Sequence, residues 1–205
     1  YCGARSPWQV HFVRETIYTV VIGKGVTSIS ETAFYTCHNI ERFIVADGNT
    51  HISVAGNCLI NNATKTLVAV CKAGVFIPDD GSVTKIGDCA FYEYSGESEI
   101  AIPSSVVTIG AHAFSNSSSL EKVTLNEGLR EIGYEAFSYT RLTEMEFPST
   151  LTVIYDKAFY CADITKLHIP KNLTEIMKDA FRYGYNSSSS KIESITVDPE
   201  NERYT

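Results

Sequence analysis

What this 205-residue chain lacks narrows it first. No apolar run approaches the ~20 residues that cross a bilayer as a helix, so no segment reads as membrane-inserted. There is no C-x-x-C, which removes the usual zinc and thioredoxin signatures, and no H-E-x-x-H, P-loop or G-x-S-x-G, which removes the common hydrolase and nucleotide-binding signatures. Basic residues are scarce, 17 Lys and Arg against 24 Asp and Glu, for a net charge of -7. That balance disfavours a nucleic-acid backbone and simple docking on anionic lipid. No signal peptide is visible, and a chain opening at Tyr1 is expected to be a processed or excised piece of a longer array.

What is present is repetition. Ala-Phe occurs at Ala33-Phe34, Ala90-Phe91, Ala113-Phe114, Ala136-Phe137, Ala158-Phe159 and Ala180-Phe181, at intervals of 57, 23, 23, 22 and 22 residues. An isoleucine stands five residues before every Phe (Ile29, Ile86, Ile109, Ile132, Ile154, Ile176), with Val or Leu three before that. A fixed period in this range marks stacked repeats. One such unit cannot bury its apolar face alone, so its neighbours must. The recurring Ile, Ala and Phe are therefore expected to build one continuous interior spine. After each Phe an alternating group follows, such as Leu120/Val123/Leu125 or Ile164/Leu167/Ile169, the pattern of a half-buried strand. Gly87, Gly110 and Gly133 follow the isoleucine and are expected in a turn needing φ > 0, although Ser30, Tyr155 and Met177 take the slot elsewhere.

The period breaks twice. Between Ala33 and Ala90, Cys58–Asn61 and Thr66–Val70 read as two strands around the polar turn 62–65, an inserted hairpin near residues 57–71 within an insert of about 46–78. Residues 182–191, "RYGYNSSSSK", read as a flexible bulge. Residues 1–25 read as lead-in or cap strands, with Trp8 closing that end, and 26–205 as the repeat array. The ending "VDPENERYT" parallels "VADGNTHIS" at 45–53, so a second hairpin is expected to begin there, in an array cut short at its C-terminus. Of six cysteines, Cys37, Cys89 and Cys161 adjoin Ala-Phe pairs and are expected as buried thiols; a Cys58–Cys71 bridge across the hairpin is the alternative for that pair.

The unit "VVTIGAHAFSNSSSLEKVTLNEGL", like "LTVIYDKAFYCADITKLHIPKNL", resembles the leucine-rich repeat of the BspA type, over residues 26–197 at least. The resemblance implies a repeat solenoid, a right-handed superhelix of short parallel strands joined by turns and short helical segments. It also implies a place at the cell surface or outside the cell, as in surface or secreted proteins of gut and oral bacteria and some protozoa, and a role in adhesion to host matrix proteins or other microbes. The family pattern carries no catalytic residues.

The chain's own residues offer no catalytic set either. Cys37 and His38 are neighbours, and neighbouring strand residues point apart. His112 occupies a slot filled elsewhere by Asp88, Glu135, Lys157 or Asp179, and such variety predicts solvated surface. Neither a cofactor nor a metal is expected. Stacked strands do, however, align outward side chains in rows. Lys122 and Thr124, Glu144 and Glu146, Lys166 and His168 are the candidate ligand-binding positions, and the alternating column Lys122-Glu144-Lys166 is expected to pair across strands. These readings describe a non-enzymatic interaction module binding a host or microbial protein through its strand face. The alternatives are a carbohydrate-binding module using an edge of tyrosines (Tyr92, Tyr94, Tyr134, Tyr139, Tyr155, Tyr160, Tyr183, Tyr185) and a passive spacer in a longer surface protein.

Overall fold

A computed structural model describes residues 16–184 and 190–204. Most of the lead-in, with Cys2, Trp8 and His11, and part of the serine-rich stretch, with Tyr185, lie outside the described residues. The chain winds into a β-solenoid of about seven turns. Its first two coils supply β1 (Thr19–Ile22) and β2 (Arg42–Val45), one repeat apart, which pair in parallel. The insert follows as β3 (Ile52–Ala55), β4 (Cys58–Asn61) and β5 (Thr66–Val70), all antiparallel. Each later coil gives one strand to each of two ladders. The first ladder is a series of dipeptides ending in the repeat isoleucine: β6 (Lys85–Ile86), β8 (Thr108–Ile109), β10 (Glu131–Ile132), β12 (Val153–Ile154) and β14 (Glu175–Ile176). The second holds β7 (Glu99–Ala101), β9 (Lys122–Thr124), β11 (Glu144–Met145), β13 (Lys166–Ile169) and β15 (Ser194–Val197). Neighbours in both ladders are parallel, so Ile stacks on Ile and Leu167 on Met145.

Between the ladders the chain turns through the Ala-Phe segment, and here two expectations fail. No α-helix occurs among the described residues. The residue before every Ala but Ala33 and the second after most Phe residues have positive φ, as at His112 (54°) and Asn116 (59°) or Glu135 (50°) and Tyr139 (57°). A left-handed residue every fourth position interrupts a right-handed helix. It turns the amides toward the next coil instead: His112, Phe114 and Asn116 N–H donate to the carbonyls of Tyr134, Ala136 and Ser138 at 2.8, 2.7 and 2.9 Å. Gly87, Gly110 and Gly133, in turn, are not among the positive-φ residues. Glycine is needed there because successive coils touch: a Cβ on Gly110 would lie 2.4 Å from Asp88 Oδ1 and 2.9 Å from the Ile86 carbonyl, and one on Gly133 2.7 Å from Gly110.

Five of the six phenylalanines form one column. Ring centroids are 4.5 Å apart for Phe91–Phe114, 5.0 Å for Phe114–Phe137, 5.3 Å for Phe137–Phe159 and 5.1 Å for Phe159–Phe181, all stacked. Phe34 stands apart, edge-on to Phe43 at 5.6 Å. The inserted hairpin explains the break. Strand β5 pairs in parallel with β6, matching Leu67 to Ile86, so the insert occupies the ladder position below Ile86. Both faces of β4 are buried. Cys58, Ile60 and Leu67 belong to the main core, while Leu59 and Ala69 belong to a smaller one with Ile22, Ile40 and Phe43.

The same partition settles the cysteines. Cys58 lies in the main core and Cys71 in the smaller one, so the hairpin backbone stands between their faces and both remain thiols. Cys37 and Cys161 are also free thiols, Cys37 buried as expected but Cys161 only half-buried. Cys89 departs from expectation: it is disulfide-bonded. It occupies the slot before Ala and is buried there, as expected of its position though not of its thiol.

Three outcomes follow from this packing. Phe137→Ala empties a fully buried place in the column and is expected to lower unfolding free energy by ~3–5 kcal/mol; Phe34→Ala, outside the column and only partly buried, should cost less in the same urea titration. Burial above all, with the nearby Cys71 second, pushes the Cys58 thiol from 9.0 up to about 12. Native protein treated with iodoacetamide at pH 8 should therefore label at the more exposed Cys161 before Cys58, read by peptide mass spectrometry. Because the folded state holds the Cys58 proton more tightly, stability should fall as pH rises above 9.0.

Candidate functional site

The second ladder sets the candidate face. In β9, β11 and β13 the central apolar residue is buried and its neighbours point outward: Lys122 and Thr124 flank Val123, Glu144 and Glu146 flank Met145, Lys166 and His168 flank Leu167; in β15 the equivalent Ile195 is itself exposed. All six outward side chains are exposed. Register brings Lys166 beside Glu144 on one side and Ser194 on the other, and His168 beside Thr196, where Nδ1 lies 3.0 Å from Oγ1.

The charged column pairs differently from the expected alternation. Lys166 Nζ is 3.7 Å from Glu144, but Lys122 Nζ is 3.7 Å from Glu99 on the preceding strand. The ladder is interrupted between β9 and β11, which fall in separate sheets, so Lys122 and Glu144 do not share a hydrogen-bonded register. Each pair is about two-thirds exposed, and ion pairs in that setting stabilise by ~1 kcal/mol or less. Such pairs separate at little cost when a partner approaches. Glu146 has no ion-pair partner among the described residues.

The tyrosines make no row of exposed rings. Tyr94 and Tyr160 are buried, Tyr92, Tyr139, Tyr155 and Tyr183 are half-buried, and of the edge tyrosines described only Tyr134 is exposed. They pack against neighbours instead, Tyr92 on Tyr35 at 4.6 Å and Tyr139 edge-on to Tyr160 at 5.6 Å.

The slot before Ala, read from its varied occupants as solvated, is a stacked polar ladder at His112, Glu135 and Lys157. Asp88, although named with the others, precedes that slot by one residue. His112 Nδ1 lies 3.5 Å from Glu135, whose other oxygen is 3.7 Å from Lys157 Nζ. The His112 ring meets Tyr134 edge-on at 5.1 Å, and Lys157 sits 5.9 Å from the Tyr134 ring centre and 5.8 Å from that of Tyr160. Burial holds the His112 imidazole below its ordinary pKa, although Glu135 and Asp88 pull it upward. Tyr134 and Glu135 hold Lys157 above its usual value. The signal was in the sequence as His, Glu and Lys one repeat apart. Elsewhere, Cys37 is buried in the smaller core while His38 Nδ1 lies 3.2 Å from Glu93 on the next coil, so the two side chains do not converge. Among the described residues no group of three or more His, Cys, Asp or Glu is arranged to hold a metal, and no helix is long and apolar enough to cross a membrane.

A depressed histidine has a definite sign. The neutral imidazole is favoured by folding, so its contribution is complete above the ordinary value of 6.5 and is lost as pH falls below it. The urea midpoint should drop between pH 7.5 and pH 5, and His112→Gln should flatten that slope.

Compared with known families, residues 10–67 and 76–202 match the model of the BspA type leucine rich repeat region, in six copies. A comparison with curated proteins finds no match. Among solved structures, a leucine rich cell surface protein from Faecalibacterium prausnitzii superposes with a TM-score of 0.76 at 23% identity, over 91% of this chain and 49% of that one. The pneumococcal vaccine antigen PcpA gives 0.58 at 20% identity, over 89% and 39%. The T. pallidum leucine rich repeat protein gives 0.56 at 29% identity, over 70% and 66%. The chain thus spans half or less of the first two.

Proposed function

We propose that this chain, which belongs to the BspA-type leucine-rich repeat family, is an interaction module displayed at a cell surface or outside the cell, binding a protein ligand through the face of its second ladder. The observation that carries this reading is the set of six exposed side chains held in fixed rows by a buried spine. Extended solenoid faces present recognition surfaces of this kind, and rigid strands position side chains without an ordering cost on binding. The surface location is supported by the similarity to the F. prausnitzii leucine rich cell surface protein. Adhesion to matrix or to another microbe is the use such a face would serve. A neutral glycan stacked on an edge of tyrosines is the weaker reading, because most of those rings pack inward.

A binding screen against extracellular matrix proteins and microbial surface proteins tests it. Glu146→Lys combined with His168→Ala should weaken a true ligand at least ~10-fold, since residues that matter at an interface each contribute more than ~1 kcal/mol. Binding that survives both changes places the contact elsewhere. Absence of any ligand favours the spacer reading.

A further inference from the structure

A second site lies away from the strand face, on the edge where the chain passes from the second ladder into the first. There a groove of about 850 Å³ opens between the coils and the segment after β15, within the ~300–1,000 Å³ of small-ligand sites. Its floor is a row built one coil at a time: the Thr152 amide donates to the Arg130 carbonyl at 2.9 Å, and the Thr174 amide to the Thr152 carbonyl at 3.0 Å. Arg130 stands at one end. Across the groove, the segment after β15 brings in Arg203, together with Glu200 and Glu202.

That wall is fixed. The side chain of Asn201, 1% exposed, donates to the carbonyls of Pro170 at 2.7 Å and Leu173 at 3.0 Å and accepts from the amides of Arg203 at 2.8 Å and Tyr204 at 2.9 Å. The Tyr204 hydroxyl in turn accepts from the Ile176 amide at 3.0 Å. Arg203 is therefore held on a preorganised arm rather than on a loose tail.

The chemistry of the lining is specific. Lys171 is paired with Glu200 at 3.5 Å, whereas Arg130 and Arg203 have no ion pair among the described residues. Three cations against two carboxylates leave the lining net positive by one, in a chain whose net charge is -7. The floor has already used its donors. Thr152 and Thr174 hydroxyls donate to the Arg130 and Thr152 carbonyls at 2.9 and 3.3 Å, and the Asn172 amide to the Ser149 carbonyl at 2.8 Å. What remains toward the groove is a row of acceptor oxygens between two guanidiniums. A ligand must bring a carboxylate for the planar Arg forks and several O–H donors for the floor. An acidic peptide side chain supplies the first and sets further carboxylates against acceptors. No aromatic ring lines the groove, so a neutral sugar has nothing to stack on.

We propose that this groove is a binding site for a carboxylated saccharide, a uronate-containing oligosaccharide, with Arg130 and Arg203 as its anchors and Asn201 as the positioning residue for Arg203. The test is calorimetric titration of the whole chain with trigalacturonate, with maltotriose and tri-glutamate as comparison ligands. Trigalacturonate should bind, weaken with added salt, and lose at least ~10-fold in affinity in Arg130→Ala and in Arg203→Ala, in line with charge-assisted hydrogen bonds. Both arginines are exposed, and an unchanged melting curve confirms each fold. Asn201→Ala should lose binding alongside a small fall in melting temperature. Glu146→Lys with His168→Ala should leave it unchanged, which separates this site from the strand face. No binding of trigalacturonate, binding indifferent to both arginines, or equal binding of tri-glutamate overturns the assignment.

Discussion

The distance between one phenylalanine ring and the next governs this molecule. Stacked rings at 4.5–5.3 Å match the ~4.8 Å spacing of hydrogen-bonded strands, so the aromatic column and the two ladders share a single rise per coil. Neither could relax without straining the other. The amides of the Ala-Phe turns close the remaining side, with Phe114, Phe137 and Phe159 each bonded to the following Ala carbonyl at 2.7 Å. Left-handed conformations at His112, Glu135 and Lys157 carry a local penalty of ~1 kcal/mol or more, offset because each directs a backbone donor into the next coil.

The repeat was legible because burial is periodic. Ile109, Ile132 and Ile154 stack as their spacing predicts, and β4 and β5 fall on Cys58–Asn61 and Thr66–Val70 as read from alternation and a polar turn. What escaped was backbone geometry that residue type does not encode. Cys89, His112, Glu135, Lys157 and Asp179 all adopt the same φ with unrelated side chains, so the slot gives no turn signal. The dipeptide strands of the first ladder are too short to show alternation. The glycines gave a true signal with two possible causes, and close approach of coils, not handedness, was the operative one.

The insert shows how a long break in period can be absorbed. Strand β5 supplies the partner that β6 would otherwise lack, and β4 buries both faces, so the cost of interrupting the column is met by a second, smaller core. This is also why Phe34 satisfies the sequence pattern and still leaves the stack. A pattern defines which residues are interior; continuity of the chain between repeats decides which interior they join.

The same rigidity that makes the core unforgiving leaves the outside free to vary. Replacing Lys122, Glu146 or Arg203 disturbs no ring spacing and no inter-coil amide, whereas each of these positions is presented at a location fixed to within the geometry of the ladder. The outward positions of the strand face were legible because alternation assigns them to the outside directly. The groove beside Arg130 was not, since it depends on Asn201 folding a later segment back across residues about seventy positions earlier. A face built from a repeat can be read along one strand, while a groove built between a repeat and a later segment becomes visible only when the coils are closed.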